Sequence, residues 1–162
     1  MLWQIVITDK SNLSGGAVLA MIKDIRAMAN LSFVRVLQFE GASPSGVPTF
    51  CETGKHTNFD DFYSFLKTVI QVDWATFELS YEELDADKKN DYAKAAIDNI
   101  KKGAVIVRCV DNSLFYVYTK DKRVSTGLSE QYDTLCCELV ESQNVEWPES
   151  VSYTHLTLPT KA

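Results

Sequence analysis

The first forty residues contain two short apolar runs separated by one amphipathic segment, and this alternation restricts the fold more than any other feature. The runs "LWQIVIT" and "SFVRVLQF" are rich in β-branched and aromatic residues, which indicates buried strands. Between them, "GAVLAMIKDIRAMAN" predicts a helix capped by Ser14. Its buried stripe consists of Val18, Met21, Ile22, Ile25 and Met28. Strand, helix and strand with short connections predict a right-handed crossover that pairs the two strands in parallel.

The remaining elements follow from similar patterns. A helix capped by Thr57 or Asn58 carries Asp60 and Asp61 in its first turn, where the helix dipole favours negative charge. Its buried face consists of Phe59, Phe62, Tyr63, Leu66, Val69 and Ile70. The run "WATFELS" predicts a third strand, and "KKNDYAKAAIDNIKK" predicts a third helix that ends at Gly103.

The C-terminal third predicts a hairpin and a final helix. The tripeptide "DNS" separates "AVIVRCV" from "LFYVYT", which is typical of two antiparallel strands joined by a tight turn. We interpret "LFYVYT" as an aromatic edge strand. A helix beginning at Ser129 accounts for the spacing of the apolar residues that follow it, namely Tyr132, Leu135, Cys136, Leu139 and Val140.

These segments predict a single α/β domain over residues 1–150, with elements in the order β-α-β-α-β-α-β-β-α. We expect a mostly parallel mixed sheet covered by helices, with a C-terminal hairpin and helix. A chain of 162 residues is long enough to bury a core without a metal or disulfide bonds. The four cysteines have neither CxxC spacing nor the density of a disulfide scaffold, so we expect reduced core thiols.

Residues 151–162 differ in texture from the rest of the chain. The stretch "VSYTHLTLPT" resembles read-through of a transposase sequencing adapter in one reading frame. We therefore expect a non-native tail, which removes His155 from any catalytic argument. An adapter joins wherever a DNA fragment ended. On this interpretation, the domain lacks its natural C-terminus if the gene continued past Ser150.

The charge of the chain bears on its partners. The net charge of −6 repels phosphate backbones and anionic membranes, so we expect neither nucleic acid nor membrane as a partner. The first apolar run is interrupted by Gln4 and closed by Asp9, which is not the pattern of a signal peptide. The sequence predicts a cytoplasmic protein. If the net charge determines its partner, that partner is a cationic protein.

The turn "SNLSGG", residues 11–16, lies where α/β proteins often bind phosphate, because free N–H groups at a helix N-terminus attract anions. Ser14, Gly15 and Gly16 are the candidate contacts. The turn lacks both the GxGxxG and the GxxxxGK[ST] patterns, so we interpret it as a turn and helix cap and keep phosphate binding as the alternative.

The polar segment from Gly41 to Thr57 is the longest irregular stretch and contains Cys51 and His56. The pair suggests either a thiolate nucleophile with its base or two metal ligands. Two ligands are too few for a structural zinc, and no third group that would orient His56 is evident. We expect no metal and no cofactor. If the loop contacts a partner, the binding residues would be Glu40, Glu52, His56 and Thr57.

Two functions therefore remain open. The first is a protein–protein interaction module, such as an immunity or antitoxin-like partner of a basic effector, and it rests on the net negative charge and the lack of a catalytic constellation. The alternative is a small enzyme that uses the Ser11–Gly16 turn for a phosphate or Cys51 and His56 for nucleophilic chemistry. We favour the first.

Overall fold

The computed structural model describes residues 1–9, 11–84 and 92–149, so the predicted tail lies outside the described residues. The strands are β1 (Leu2–Thr8), β2 (Phe33–Ala42), β3 (Gln71–Ser80), β4 (Val105–Val110), β5 (Leu114–Thr119) and β6 (Thr134–Val140). The α-helices are α1 (Gly15–Ala29), α2 (Thr49–Thr53), α3 (Phe59–Thr68), α4 (Tyr92–Lys101) and α5 (Lys122–Gln131). A 3₁₀ turn follows at Ser142–Asn144.

The six strands form one sheet in the order β2-β3-β4-β5-β1-β6, and every neighbouring pair is antiparallel. The prediction of a mostly parallel mixed sheet is wrong. Since directions alternate across the sheet, β1 and β2 do point the same way, but β5, β4 and β3 lie between them. The α1 crossover therefore spans the sheet instead of placing its two strands side by side.

The order of elements along the chain also differs from the prediction. A short extra helix, α2, lies in the predicted irregular loop, and a strand, β6, occupies the place of the predicted final helix. The predicted β4–β5 hairpin is confirmed, with Asp111 and Asn112 at positive φ in its turn. However, β5 lies between β4 and β1, so it is not an edge strand.

Helices cover the two faces of the sheet unequally. On the first face, α1, α3 and α5 pack over a large apolar core, to which β1, β3 and β5 contribute Ile5, Phe77 and Val117. On the second face, α4 packs over a smaller cluster that includes Ile100 and Ile106. Residues beyond β6 complete this second cluster with Val145 and Trp147.

The two helices with the clearest periodicity form as predicted. Ser14 Oγ accepts the Ala17 N–H at 3.1 Å, and the α1 residues Val18, Met21, Ile22 and Ile25 are buried. Asn58 Oδ1 accepts the Asp61 N–H at 2.8 Å and caps α3. The α3 face buries Phe59, Phe62, Phe65 and Leu66, whereas Ile70 lies beyond the helix and is 63% exposed, contrary to prediction.

The start of α1 packs tightly against the end of α3, and this contact requires a glycine. A Cβ atom on Gly15 would lie 2.0 Å from the Leu66 carbonyl oxygen and 2.6 Å from that of Val69. The Gly15 N–H donates to the Val69 carbonyl at 3.1 Å. Gly15 therefore serves the packing of two helices on the first face.

The predicted final helix from Ser129 is wrong in both start and type. The observed helix, α5, is capped by Asp121, whose Oδ1 accepts the Arg123 N–H at 2.9 Å. This cap lies eight residues before Ser129, and α5 already ends at Gln131. The following residues pair with β1, with Cys137 opposite Ile5 and Leu139 opposite Trp3. Pairing with a distant strand thus overrode a spacing that also fits a helix.

Candidate functional site

The predicted loop 41–57 is more ordered than its sequence suggests, because α2 occupies part of it. Cys51 lies in α2, is only 5% exposed and belongs to the core of the first face. Glu52 is exposed on the same helix, and Glu40 Oε2 on β2 accepts a hydrogen bond from Gln38 Nε2 at 3.0 Å. The burial of Cys51 restricts access of a substrate to its thiol.

His56 and Thr57 lie beside β2. The Leu84 N–H donates to His56 Nε2 at 3.1 Å, and the His56 ring meets Phe33 edge-on with centroids 5.9 Å apart. Thr57 forms a bridge with Val34, with N···O distances of 2.9 and 3.2 Å. The segment before α3 therefore pairs with the outer edge of β2.

The Ser14–Gly16 turn is engaged in packing within the chain. Gly15 donates to Val69 and Ala17 donates to Ser14, so two N–H groups of the first turn of α1 already have partners. The antiparallel sheet also removes the topological reason for a phosphate site at this turn, which applies to open parallel sheets.

Within the described ranges, no three His, Cys, Asp or Glu side chains are grouped so as to hold a metal ion. In the same ranges, no helix is both long and apolar enough to cross a membrane.

The second face of the sheet buries two arginines that sequence reasoning did not single out. Arg35 donates to Glu78 Oε1 through Nε at 2.8 Å and through Nη2 at 2.5 Å, and both side chains are almost fully buried. Asn99 Nδ2 of α4 donates to Glu78 Oε2 at 2.8 Å. This buried ion pair fixes α4 against β2 and β3.

The second arginine, Arg108, is fully buried on β4. Its Nε donates to Thr76 Oγ1 at 3.0 Å, and Nη1 donates to the Pro148 carbonyl. Its guanidinium carbon lies 4.3 Å from the centroid of the Trp147 ring. Among the described residues no carboxylate lies within salt-bridge distance of it.

We call residues 141–149 the strap, because they run across the second face after β6. Tyr118 Oη donates to the Glu146 carbonyl at 2.5 Å, and the Glu146 N–H donates to Gln4 Oε1 at 2.8 Å. Burial raises the pKa of Tyr118, which keeps its hydroxyl protonated as a donor. Arg108, Tyr118 and Gln4 therefore hold the strap on β4, β5 and β1.

The sixth strand, in contrast, leaves one edge of the sheet open. It is the last strand in the sheet order, and within residues 1–9, 11–84 and 92–149 no strand pairs with its outer side. Leu135 is 64% exposed and Leu139 is 46% exposed, with the exposed Cys137 between them. Cys137 and Leu139 share a face as alternate residues, and Leu135 precedes them at a register shift where β6 has one residue more than β1. We call these three exposed residues the leucine row.

The negative charge of the chain is concentrated in residues 124–149, the segment that contains β6. Residues 124–149 contain six acidic residues and no Lys or Arg, whereas residues 1–123 contain 16 acidic and 15 basic residues. All six acidic side chains are exposed: Glu130, Asp133, Glu138, Glu141, Glu146 and Glu149. Over residues 1–123 the acidic and basic residues are therefore nearly equal in number.

Sequence reasoning missed this edge because it assigned β6 to a helix. The charge signal was readable, since the absence of basic residues after Arg123 requires only counting along the chain. The exposure of Leu135 and Leu139 was not readable, because helical spacing had assigned both to a buried face.

Comparison of the chain with protein-family models, curated proteins and solved structures finds no match. The function must therefore follow from the residues of the chain itself.

Proposed function

We propose that this chain is a protein–protein interaction module that binds a basic protein, in the manner of an immunity or antitoxin-like partner of a basic effector. The observation that carries the proposal is the segregation of charge. Residues 124–149 carry six exposed carboxylates without a single basic side chain, and four of them, Glu130, Asp133, Glu138 and Glu141, lie in β6 or within four residues of its ends.

Such a field favours a cationic partner for two physical reasons. It raises the rate of encounter with a positive surface, by about 10- to 1000-fold in steered complexes, and it repels acidic competitors. The same field opposes nucleic acids and anionic membranes, whose phosphates it would bring close to Glu138 and its neighbours. A basic protein is therefore the partner class that the charges support.

A cytoplasmic location is part of the proposal. No disulfide bond joins the four cysteines, all of which lie in the described part of the chain. Cys137 is exposed and adjacent to Cys136, an arrangement that is kept reduced most easily in a reducing compartment.

The test begins with isolation and identification of the basic protein that the full chain retains from its source cells, followed by stopped-flow association rates of the purified pair. The main variant neutralises four acids beside the edge as Glu130→Gln, Asp133→Asn, Glu138→Gln and Glu141→Gln. We expect the rate to fall steeply with salt and to drop about tenfold or more in this variant at low ionic strength.

A matched control neutralises four exposed acids elsewhere, as Asp60→Asn, Glu82→Gln, Glu83→Gln and Asp98→Asn. It should slow association less than about threefold. A third variant reverses Glu40 and Glu52, the loop positions that the sequence suggests. A larger effect of the control or of the loop variant than of the edge variant would contradict the proposal, as would a rate independent of salt.

A further inference from the structure

The outer edges of β2 and β6, the two terminal strands of the sheet, differ in whether other elements cover them. The outer edge of β2 is covered by α2 and by the Val34–Thr57 bridge. The outer edge of β6 has no such cover among the described residues. A strand edge without a partner presents a row of N–H and C=O groups, which is a template for pairing with another chain.

The side chains of β6 do not protect this edge. Natural proteins commonly blunt an exposed edge with lysine, proline, a β-bulge or a very short strand. The seven residues of β6, "TLCCELV", contain neither lysine nor proline, and the register shift at Leu135 leaves residues 136–140 in regular pairing with β1. The row of Leu135, Cys137 and Leu139 offers apolar contacts to an added strand instead.

The charges around the edge of β6 favour one kind of added strand over others. Glu138 lies on the opposite face of β6 from the leucine row, and the exposed Asp133 and Glu141 stand at the two ends of the strand. An added strand that alternates apolar with basic residues would place apolar side chains on Leu135 and Leu139 and a cation beside Glu138. Opposite charges on adjacent strands stabilise such a pair.

A second copy of the chain fits less well. Antiparallel pairing of two β6 strands about Cys137 would place Leu135 opposite Leu139 of the other copy. It would also bring together two regions that each carry six carboxylates and no basic residue. Charge complementarity therefore favours a different, basic chain.

We propose that the outer edge of β6 accepts an extended segment of the basic partner as a seventh strand, with apolar residues over Leu135 and Leu139 and basic residues beside Glu138. This inference rests on the proposed function and adds its binding surface and mode. Main-chain hydrogen bonds would supply the affinity, and the alternating side chains would supply the selectivity.

The test uses a fluorescent nine-residue peptide that alternates lysine with valine or threonine, added to the full chain. We expect binding with a Kd below about 1 mM, with amide chemical-shift changes centred on residues 134–140. Replacing its lysines with glutamates should weaken binding at least about tenfold. Absence of binding by the lysine peptide, or shift changes centred elsewhere, would overturn the inference.

Two N-methylated forms of the peptide separate strand addition from simple charge attraction. Alternate residues of a strand point their N–H groups to opposite edges, so methylating all lysine amides blocks one edge and methylating all valine and threonine amides blocks the other. One form should lose at least about tenfold in affinity and the other less than about threefold. Equal affinities of both forms would overturn the inference and leave the proposed function standing.

The side-chain contribution is tested with Leu135→Thr and Leu139→Thr together. Both residues are exposed, so the substitution should leave folding intact and weaken peptide binding at least about fivefold. The matched control is Val47→Thr with Ile70→Thr, which removes two other exposed apolar side chains and should not affect binding.

Sedimentation of the unliganded chain tests whether a second copy of the chain binds at the edge of β6. A dimer that the β6 variant dissociates would overturn the inference, whereas a monomer supports it.

Discussion

The guanidinium of Arg108 on β4 stacks on the ring of Trp147 in the strap, with 4.3 Å between the guanidinium carbon and the ring centroid. The same ring stacks on that of Tyr118, with ring centroids 5.2 Å apart and an interplanar angle of 25°. One half-buried side chain therefore links the C-terminal strap to two inner strands, and it shields a fully buried cation.

We expect Trp147→Ala to lower the free energy of unfolding by about 3 kcal/mol, because it removes both ring contacts and opens the environment of Arg108. Trp147→Phe should recover about half of the loss, since a smaller ring still stacks. Urea denaturation measures both values. A change below about half a kcal/mol in the alanine variant would mean that the strap does not stabilise the fold.

Two truncations compare the strap with the residues that follow it. A chain that ends at Ser150 should melt at the same temperature as the full chain if the tail is translated adapter, as its sequence predicts, because such a tail would not have been selected to pack. A chain that ends at Val140 loses the bonds from Arg108, Tyr118 and Gln4, and should melt about 5 °C lower or more. Calorimetry would contradict this account if the shorter deletion were the more harmful one.

The apolar face of α3 allows a direct test of the helix that sequence predicts best. Phe62→Ala and Leu66→Ala should each cost about 2–5 kcal/mol, because both side chains are fully buried in the first core. Ile70→Ala, at an exposed position that the same periodicity had included, should cost less than about half a kcal/mol. Equal losses at all three positions would indicate that Ile70 is buried in solution.

The contrast between these positions shows what the sequence could predict. Ser14, Asn58 and the stripes of α1 and α3 were readable because caps and periodicity act within a few residues. The antiparallel pairing of β1 with β5 was not readable, because it joins residues more than one hundred positions apart and depends on matching whole faces. A right-handed crossover gives strand direction but does not require its two strands to be neighbours.

The open edge of β6 could not be predicted for a related reason. Cys136, Leu139 and Val140 fit both a helical stripe and a strand that follows a short turn, and only pairing with β1 decides between them. The buried Arg35 and Arg108 were equally hidden, since a single charged residue within an apolar run does not reveal its partner. Their partners are distant in sequence: Glu78 for Arg35, and Thr76 and Trp147 for Arg108.

The buried ion pair predicts a non-additive pair of substitutions. Glu78→Leu alone should destabilise the fold by about 3–5 kcal/mol, because it leaves the Arg35 charge buried without its carboxylate. The double variant Arg35→Met with Glu78→Leu should recover most of this loss, since two apolar side chains can fill the same space. A double-mutant cycle measures the coupling, and additive losses would show that the pair does not act as a unit.

The four thiols should differ in reactivity in a way that also tests the alternative enzyme hypothesis. Cys137 is exposed on β6 and should be alkylated first at neutral pH. Cys136 is partly covered, and burial together with the neighbouring Glu138 raises the pKa of its thiol, so its alkylation should require higher pH because the thiolate is the reacting form. Cys51 and Cys109 are buried and should react mainly on unfolding, and burial also raises the pKa of Cys109.

Mass spectrometry of partly alkylated protein, in the full chain and in His56→Ala, gives the order of reaction directly. If Cys51 is a structural thiol, as its place in the first core indicates, it reacts slowly and His56→Ala leaves its rate unchanged. A Cys51 that reacts as fast as Cys137, and that slows when His56 is removed, would instead support a thiolate activated by that histidine. Blocking Cys137 with a bulky reagent should also prevent binding of the lysine peptide, because the reagent would occupy the middle of the leucine row on β6.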